Sequence, residues 1–497
     1  MRILLDAVVT TADPNRCSTN IQFLTFVRRV LAERDDVFFY WLVPDWITDE
    51  DFEATYPQDP RVSYHRVPQH KDRSKEYFTI SKEVDNAIAF NGGLWDYDVL
   101  LTMRTGLVPL YRLIMNSPRT SRLAWLKEVW LIEEMPLMDF KKTVMTINRE
   151  VQDLYKIAGY LAADRVYILS YHEKQHIMRR ARDYLTATNV MKLDKIKPVI
   201  TSQFDDFSLK DPSAFPDPEN GKPFCMAFAG RIASSSSITE INKIMVSTFV
   251  MKGEKVRLLV TTPSAMVKTF DESVIDIRMA GRDEFWELCR DHMHVIINMA
   301  TEGGFLLSLV EPMMMGVPAI VGREDWSEAL LGPDFPFYVT NEVQAYALAG
   351  MFYDDYEGMY ARWTDWYQEH FVPMMRRRFA EDLLYDHLLH EVATFGDRRA
   401  RIKDTNPDKE DNRFLLDFID HVGDADEFVF RDVVESMVKA GKVDRNMLDK
   451  LRPGDRDHRG LAFCTPWNDF RVCLQEFYGW EDASVEVGHM RKARSEA

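Results

Sequence analysis

Along residues 1–204, short apolar runs rich in branched side chains alternate with amphipathic stretches, and after a break the same alternation begins again. That recurrence restricts the fold more than any other feature. Runs such as "RILLDAVV", "VFFYWLV", "YDVLLTM" and "RVYILS" are too uniformly apolar for half-exposed strands. They suit strands covered on both faces, as in parallel sheets. "RVSYHRV" and "KPVITSQF" read as further strands. Between them, "IQFLTFVRRVLAER", "NREVQDLYKIAGYLAAD" and "YHEKQHIMRRARDYL" have helical spacing, and Thr19 with Gln22 fits a capping box before the first. "RLAWLKEVWL" fits either strand or helix. Strand–helix–strand alternation predicts a doubly wound α/β sheet.

Asp205 to Lys222, "DDFSLKDPSAFPDPENGK", is dense in Pro, Asp and Ser and has no periodicity, so it reads as a linker. The pattern then restarts with the strands "FCMAFAG", "KVRLLVTT", "HVIINMA" and "PAIVG" and helices between them. The expected organisation is a Rossmann-like domain over 1–204, a linker over 205–222 and a second Rossmann-like domain over 223–350. Helices over 351–396 are expected to pack back towards the first domain, and a small helical accessory region over 413–497 follows a polar stretch. The aromatics of "CTPWNDF" and "LQEFYGW" would form that region's core; stacking on nucleic acid bases is the weaker alternative.

The 497 residues carry a formal net charge of −17, which opposes a whole-surface attraction to nucleic acid or anionic lipid. Five scattered cysteines without a CxxC pair read as buried thiols of a cytoplasmic protein. No apolar run approaches the length of a membrane span, and "MRILLDAVV" opens as a strand, not a leader.

Two doubly wound domains joined by a linker imply a cleft, with ligands beyond the carboxyl ends of the strands. Two such ends stand out. In "FAGRIASSSS", Gly230 closes a strand, Arg231 follows, and Ser234 to Ser237 lead into a helix. Small residues admit a close approach of the backbone, a helix N-terminus offers free N–H groups, and arginine grips phosphate bidentately. The bland reading, an N-capped helix with a surface arginine, has about equal weight on this loop alone. The second end is "MATEGGFLLSLVEPMMMGVPAIV". Glu302 stands at a Gly303–Gly304 turn, the amides of Gly303, Gly304, Phe305 and Leu306 open a helix near Phe305, and Glu311 lies deeper with Pro312 after it. Glu311 is flanked by Val310, Pro312 and Met313, so a solvated face is a poor explanation and a specific partner is required. Met313 to Met315 read as core packing.

These motifs resemble GT-B glycosyltransferases, in particular the large retaining group with sucrose synthase-like and glycogen synthase-like members, family 4 in the usual classification. "FAGRI", "TEGGFLLSLVEPMMMGVPAIV" and "ADRVYILS" carry the resemblance, which spans roughly Met1 to Val392 and is strongest from Phe224 to Gly322. It implies transfer of a sugar from a UDP-, GDP- or ADP-sugar to an acceptor hydroxyl with retention, with no permanently bound cofactor and no metal. Arg231 would hold the donor diphosphate with Gly230, Ser235 and Ser236. Glu302 would contact the transferred sugar, the amides of Gly303 to Leu306 would help hold it, and Glu311 would bind the ribose hydroxyls. Three departures stand out. Eight residues separate Glu302 from Glu311, one more than the family's usual spacing; Ser236 stands where the family has a basic residue; and "TTADPNRCSTN" lacks the family's glycine pair.

Arg104 and Thr105 end a strand and are acceptor-side candidates, as is His172; Lys127 and Glu128 read as a similar strand end. His172 and His65 as lone histidines are more often surface or core residues. Arg376 to Arg378 read as a solvated face, and Asp424 to Asp426 and Asp455 to Asp457 as part of a generally acidic tail. The acceptor could be a glycan or a small molecule. Two alternatives keep the fold: transfer to hydroxymethylated bases in DNA, as in phage enzymes, and a degenerate binding scaffold.

Overall fold

The computed structural model describes residues 1–7, 9, 18–67, 97–108, 111, 128–133, 156–182, 185–202, 204, 206–228, 256–260, 275–277, 282–300 and 306–402. The chain divides into two compact units. The first holds Met1–Ile168, Lys174–Pro198 and the chain from Tyr385 on; the second holds Leu169–Glu173 and Val199–Leu384.

The first unit is built on strands β1 (Arg2–Asp6), β2 (Phe38–Pro44), β3 (Val62–Val67), β4 (Val99–Thr102), β5 (Glu128–Glu133), β6 (Arg165–Ile168) and β7 (Ile196–Pro198). All described pairings are parallel, in the order β3-β2-β1-β4-β5-β6-β7. β4 and β5 are buried at every position, as coverage of both sheet faces requires. Helices α1 (Ser18–Glu33), α2 (Asp49–Thr55), α3 (Tyr171–Ala181) and α4 (Ala187–Lys192) lie along this part of the chain. On α1, Phe23 and Phe26 meet Trp41 and Phe39 of β2 edge-on. α1 begins at Ser18, so Thr19 lies inside its first turn and is not its cap. Ser170 caps α3, and Glu173 reaches back past it to Leu169. Ser170 Oγ accepts from Glu173 N at 3.0 Å, and Glu173 Oε2 accepts from Leu169 N at 3.2 Å.

The second unit carries β8 (Phe224–Phe228), β9 (Val256–Val260), β10 (Ile275–Ile277), β11 (Val295–Asn298), β12 (Ala319–Gly322) and β13 (Tyr338–Val339), parallel and in the order β10-β9-β8-β11-β12-β13. Its helices are α5 (Arg282–Asp291), α6 (Leu307–Met314), α7 (Asp325–Leu331), α8 (Glu342–Asp354), α9 (Tyr356–Trp366) and α10 (Val372–Asp382), and α11 (Leu384–Ile402) follows. In both sheets the first strand sits inside. The strand order therefore reverses between β1 and β4, and between β8 and β11. These are topological switch points, where the loops leaving adjacent carboxyl ends diverge and open a crevice.

Residues read from the sequence as a linker are tied along the second unit. Ser208 N donates to Met314 O at 3.0 Å, at the end of α6, and Lys210 N donates to Tyr360 Oη at 2.7 Å. The buried Lys210 Nζ caps the end of α5, donating to Cys289 O at 2.7 Å and Arg290 O at 2.5 Å. Gly316 lets this strap approach: its φ is 79°, and a Cβ there would lie 2.5 Å from Lys210 N. Between these ties the segment runs through short turns, with Ser213 N donating to Asp211 Oδ1 at 2.8 Å and Asn220 N to Asp217 Oδ1 at 3.2 Å, so no regular period develops.

α9 and α10 also belong to the second unit. The reason is an aromatic ladder. Tyr356, Tyr360, Trp363, Tyr367 and Phe371 stack in succession along one buried face, passing through a π-helical turn at Tyr367–Phe371. Tyr356 Oη donates to His294 O at 3.0 Å and Tyr367 Oη to Met314 O at 2.9 Å. Only α11, from Tyr385, lies with the first unit. There Arg398 forks onto Glu128 at 3.0 and 3.1 Å and pairs with Glu391, which also holds Arg165.

His294 completes the strap. Its Nδ1 accepts from Cys225 N at 2.7 Å, which leaves the proton on Nε2 for Ala214 O at 3.1 Å. Burial, with the Lys210 charge nearby, lowers His294 from 6.5 to about 3. The unfolded chain therefore takes up a proton that the folded chain refuses, and stability is complete above pH 6.5 and falls as pH drops towards 3. We expect this residue alone to contribute a slope approaching 1.4 kcal/mol per pH unit in that window. His294→Gln should be less stable at neutral pH and should lack that slope, as read by urea unfolding from pH 7 to 4.

Candidate functional site

At the second unit's switch point, β8 ends at Phe228 and β11 at Asn298, side by side in the sheet. Gly230, Arg231, Ser235 and Ser236 follow β8 in the sequence, and Glu302, Gly303, Gly304 and Phe305 follow β11; these eight lie outside the described residues. β11 closes in a tight Asx turn, with Ala300 N donating to Asn298 Oδ1 at 3.0 Å. α6 begins at Leu307, with Leu306 as its extended N-cap residue and no side-chain cap. Apolar residues supply no competing acceptor at that N-terminus, so its backbone N–H groups have no side chain of the cap residue to satisfy them.

Glu311 stands in the middle of α6 and is 0% exposed. A buried carboxylate needs donors, and this one has three, one from the entry segment and two from α5. Ser202 Oγ donates to Oε1 at 2.8 Å, Arg282 Nη2 donates to the same oxygen, and Trp286 Nε1 donates to Oε2 at 3.1 Å. Arg282 is the first residue of α5, and its guanidinium lies over the Trp286 ring at 5.4 Å from the centroid. Phe204 packs against the other partner, its ring 5.4 Å from that of Trp286. Pro312 is inside α6, and Met313, Met314 and Met315 pack in the core. The sequence showed that Glu311 required a partner. It did not show which, because Ser202, Arg282 and Trp286 are distant along the chain and carry no motif.

The first unit has its own cluster at the β1/β4 switch point. Asp6 ends β1, and Arg104 Nε donates to its Oδ1 at 2.8 Å; Thr102 Oγ1 and Tyr111 Oη donate to its Oδ2 at 3.1 and 2.7 Å. Next to it, Glu133 ends β5 and accepts from Thr105 Oγ1 at 2.5 Å and Tyr160 Oη at 3.2 Å, with Lys156 Nζ 3.5 Å away. Residues 156–162 are helical, and Gly159 lets them close on Thr105, whose carbonyl oxygen occupies the place of a Cβ. Arg104 and Thr105 thus stand at a strand end, and Asp6 and Glu133, which the sequence reading passed over, stand beside them. Glu128 does not: it begins β5 and serves the opposite edge of the sheet, where it accepts from Arg398 and from Trp130 Nε1 at 2.7 Å. Lys127 lies outside the described residues.

His172 is half-buried in the first turn of α3, between Ser170 and Glu173 in the sequence. His65 lies within β3, stacked on Tyr40 at 6.1 Å, and burial lowers its pKa. Of the arginine cluster on α10, Arg376 covers Phe207, and Arg378 is not solvated but lies 15% exposed, 3.7 Å from Asp382.

Removing Arg282 strands a wholly buried carboxylate. We expect Arg282→Ala to lower unfolding free energy by about 3–5 kcal/mol, and Arg282→Met with Glu311→Gln to recover most of it. Urea denaturation of the three proteins checks this; equal losses in the single and double variants would refute it.

No protein-family model and no curated protein matches this chain. Solved structures do. The sucrose-phosphate synthase of Thermosynechococcus elongatus superposes with a TM-score of 0.54 at 13% identity, over 80% of this chain and 98% of that one. HepE of Anabaena, in complex with UDP, follows at 0.49 and 9% identity, over 77% and 99% of the two chains. UGT2 of Phytolacca americana, complexed with UDP-2-fluoro-glucose and pterostilbene, stands at 0.48 and 13%, over 79% and 99%. Two parallel sheets of this strand order, together with the likeness to the sucrose-phosphate synthase, identify the fold of the chain as GT-B.

Proposed function

We propose that this chain is a glycosyltransferase that moves a sugar from a nucleotide-sugar donor to an acceptor hydroxyl, with retention of configuration. The observation that carries the reading is the second unit's switch point. β8 and β11 are neighbours there. The sequence leaving β8 holds Gly230, Arg231 and the serine run, and the sequence leaving β11 holds Glu302 to Phe305 and runs into α6 with Glu311. The likeness in fold to a sucrose-phosphate synthase supports the sugar-transferring class.

In this reading the departing diphosphate is the charge to be stabilised. Arg231 neutralises it, and the hydroxyls of Ser235 and Ser236 with the amides of Gly303 to Leu306 take its oxygens. Fixed donors of this kind stabilise developing charge without reorganising, so neither a strong base on the enzyme nor a metal is called for. Glu302 meets the transferred sugar, and the Glu311 cluster marks the nucleotide end of the donor. Arg104 and Thr105, at the first unit's switch point, and His172 are the acceptor-side candidates.

A thermal-shift panel with UDP, GDP, ADP and their common sugar conjugates tests the assignment, since a ligand bound only by the folded state raises the melting temperature. One nucleotide and its sugars should do so. Arg231→Ala should then reduce donor turnover by about 100- to 1,000-fold, the usual consequence of removing one such donor. Glu311→Ala should abolish the shift. Wild-type donor affinity in both variants would overturn the proposal.

A further inference from the structure

We infer that Arg282 is the residue of the Glu311 cluster that touches the nucleotide, at its phosphate oxygens, and that Glu311 acts as the positioning residue behind it. This rests on the nucleotide-sugar reading above.

Glu311 is poorly placed to take ligand hydroxyls itself. It is 0% exposed, and its two oxygens already accept from Ser202, Arg282 and Trp286. A carboxylate so saturated has little acceptor capacity left and no surface on which to offer it. Arg282 differs on each point. Its side chain is 17% exposed, and it is the first residue of a ten-residue helix that starts on the carboxyl-end side of the sheet, after β10. Glu311 holds one end of its guanidinium and the Trp286 ring lies against its face, so the plane of the group is fixed. Its Nε is buried and has no hydrogen-bond partner among the described residues. A stranded buried donor is unfavourable, and an incoming acceptor oxygen removes that penalty.

A guanidinium with spare donors, a fixed plane and partial exposure suits a phosphate group better than any neutral ligand group, because charge-assisted pairs of this geometry are the strong ones. The charge count agrees. The loop after Arg231, Ile232 to Ser237, carries no second cation. Arg282 provides a cation from a different element. Its pairing with a buried acid does not remove its donors; it holds them in one direction, which lowers the ordering entropy that a long side chain would lose on binding.

The test uses the full-length protein and three probes: UDP, GDP and ADP, each compared with its nucleoside. Phenylglyoxal labelling of the wild-type protein is read by peptide mass spectrometry. The nucleotide that binds should protect Arg282 at least tenfold, and the matching nucleoside should not. Labelling of Arg282 at the same rate with and without saturating nucleotide overturns the inference, and this needs no variant to fold. In calorimetry, Arg282→Met with Glu311→Gln, confirmed folded by circular dichroism, should bind the diphosphate at least tenfold more weakly and the nucleoside as before. Glu311→Gln alone should raise the donor KM with a smaller change in kcat, and a loss in the diphosphate only is the signature that a merely structural role would not give. Equal diphosphate affinity in wild type and double variant refutes the role of Arg282 while leaving the donor reading intact. If none of the three diphosphates binds the wild-type protein, the donor reading itself fails, and this inference with it.

Discussion

An ionised carboxylate cannot be left alone in a protein core, and the second unit is arranged around one. Transfer of such a group into an apolar interior costs several kcal/mol even after relaxation, and only well-placed donors offset it. Glu311 obtains its donors from Ser202 at the start of the unit and from Arg282 and Trp286 on α5. The helix that bears it is fixed in turn by Ser208 N and Tyr367 Oη, which both donate to Met314 O. Entry segment, α5, α6 and the aromatic ladder are therefore held in one register. None of them can shift without stranding a charge or a carbonyl.

The first unit uses buried charge twice, at opposite edges of one sheet. At the amino edge, Glu128 and Arg165 open β5 and β6 and bind α11 through Arg398 and Glu391. That network joins a helix to a sheet and has a structural purpose. At the carboxyl edge, Asp6 with Arg104 stands where the strand order reverses, and Glu133 with Lys156 ends the next strand, β5. Charges of the same type thus have different meanings according to the end of the strand that bears them, since connecting loops diverge only at the switch point.

Much of this architecture was legible in the sequence. Short runs of branched apolar residues, such as those within "RILLDAVV" and "HVIINMA", read as strands, and Glu311 between Val310 and Pro312 had to be a partnered acid. What could not be read were interactions whose two halves lie far apart. The Pro- and Asp-rich stretch from Asp205 looked like a free linker because its partners, Cys289, Arg290, Met314 and Tyr360, are brought to it only by the fold. Of "RLAWLKEVWL", Glu128 to Leu131 lie in strand β5, and the residues before them lie outside the described ones. Arg282 was invisible for a related reason: at the head of an ordinary amphipathic helix nothing distinguishes an arginine that will meet a buried acid from one that faces water.

The crossing between the units has a kinetic consequence. The chain enters the second unit at Val199 and leaves it at Leu384, and there Ile200 and Leu383 form a parallel bridge, with Ile200 N donating to Asp382 O and Leu384 N to Ile200 O, both at 2.9 Å. Apart from Leu169–Glu173, the second unit is thus an insertion whose ends are clasped. In an unfolded chain, bringing β7 and α11 together means closing a loop of roughly 190 residues, an entropic loss of about 4–5 kcal/mol. Once the inserted unit has folded, its clasped ends shorten that loop to almost nothing. The last helix of the first unit would then dock as if it followed β7 directly, so loop-closure entropy favours folding of the inserted unit before that docking.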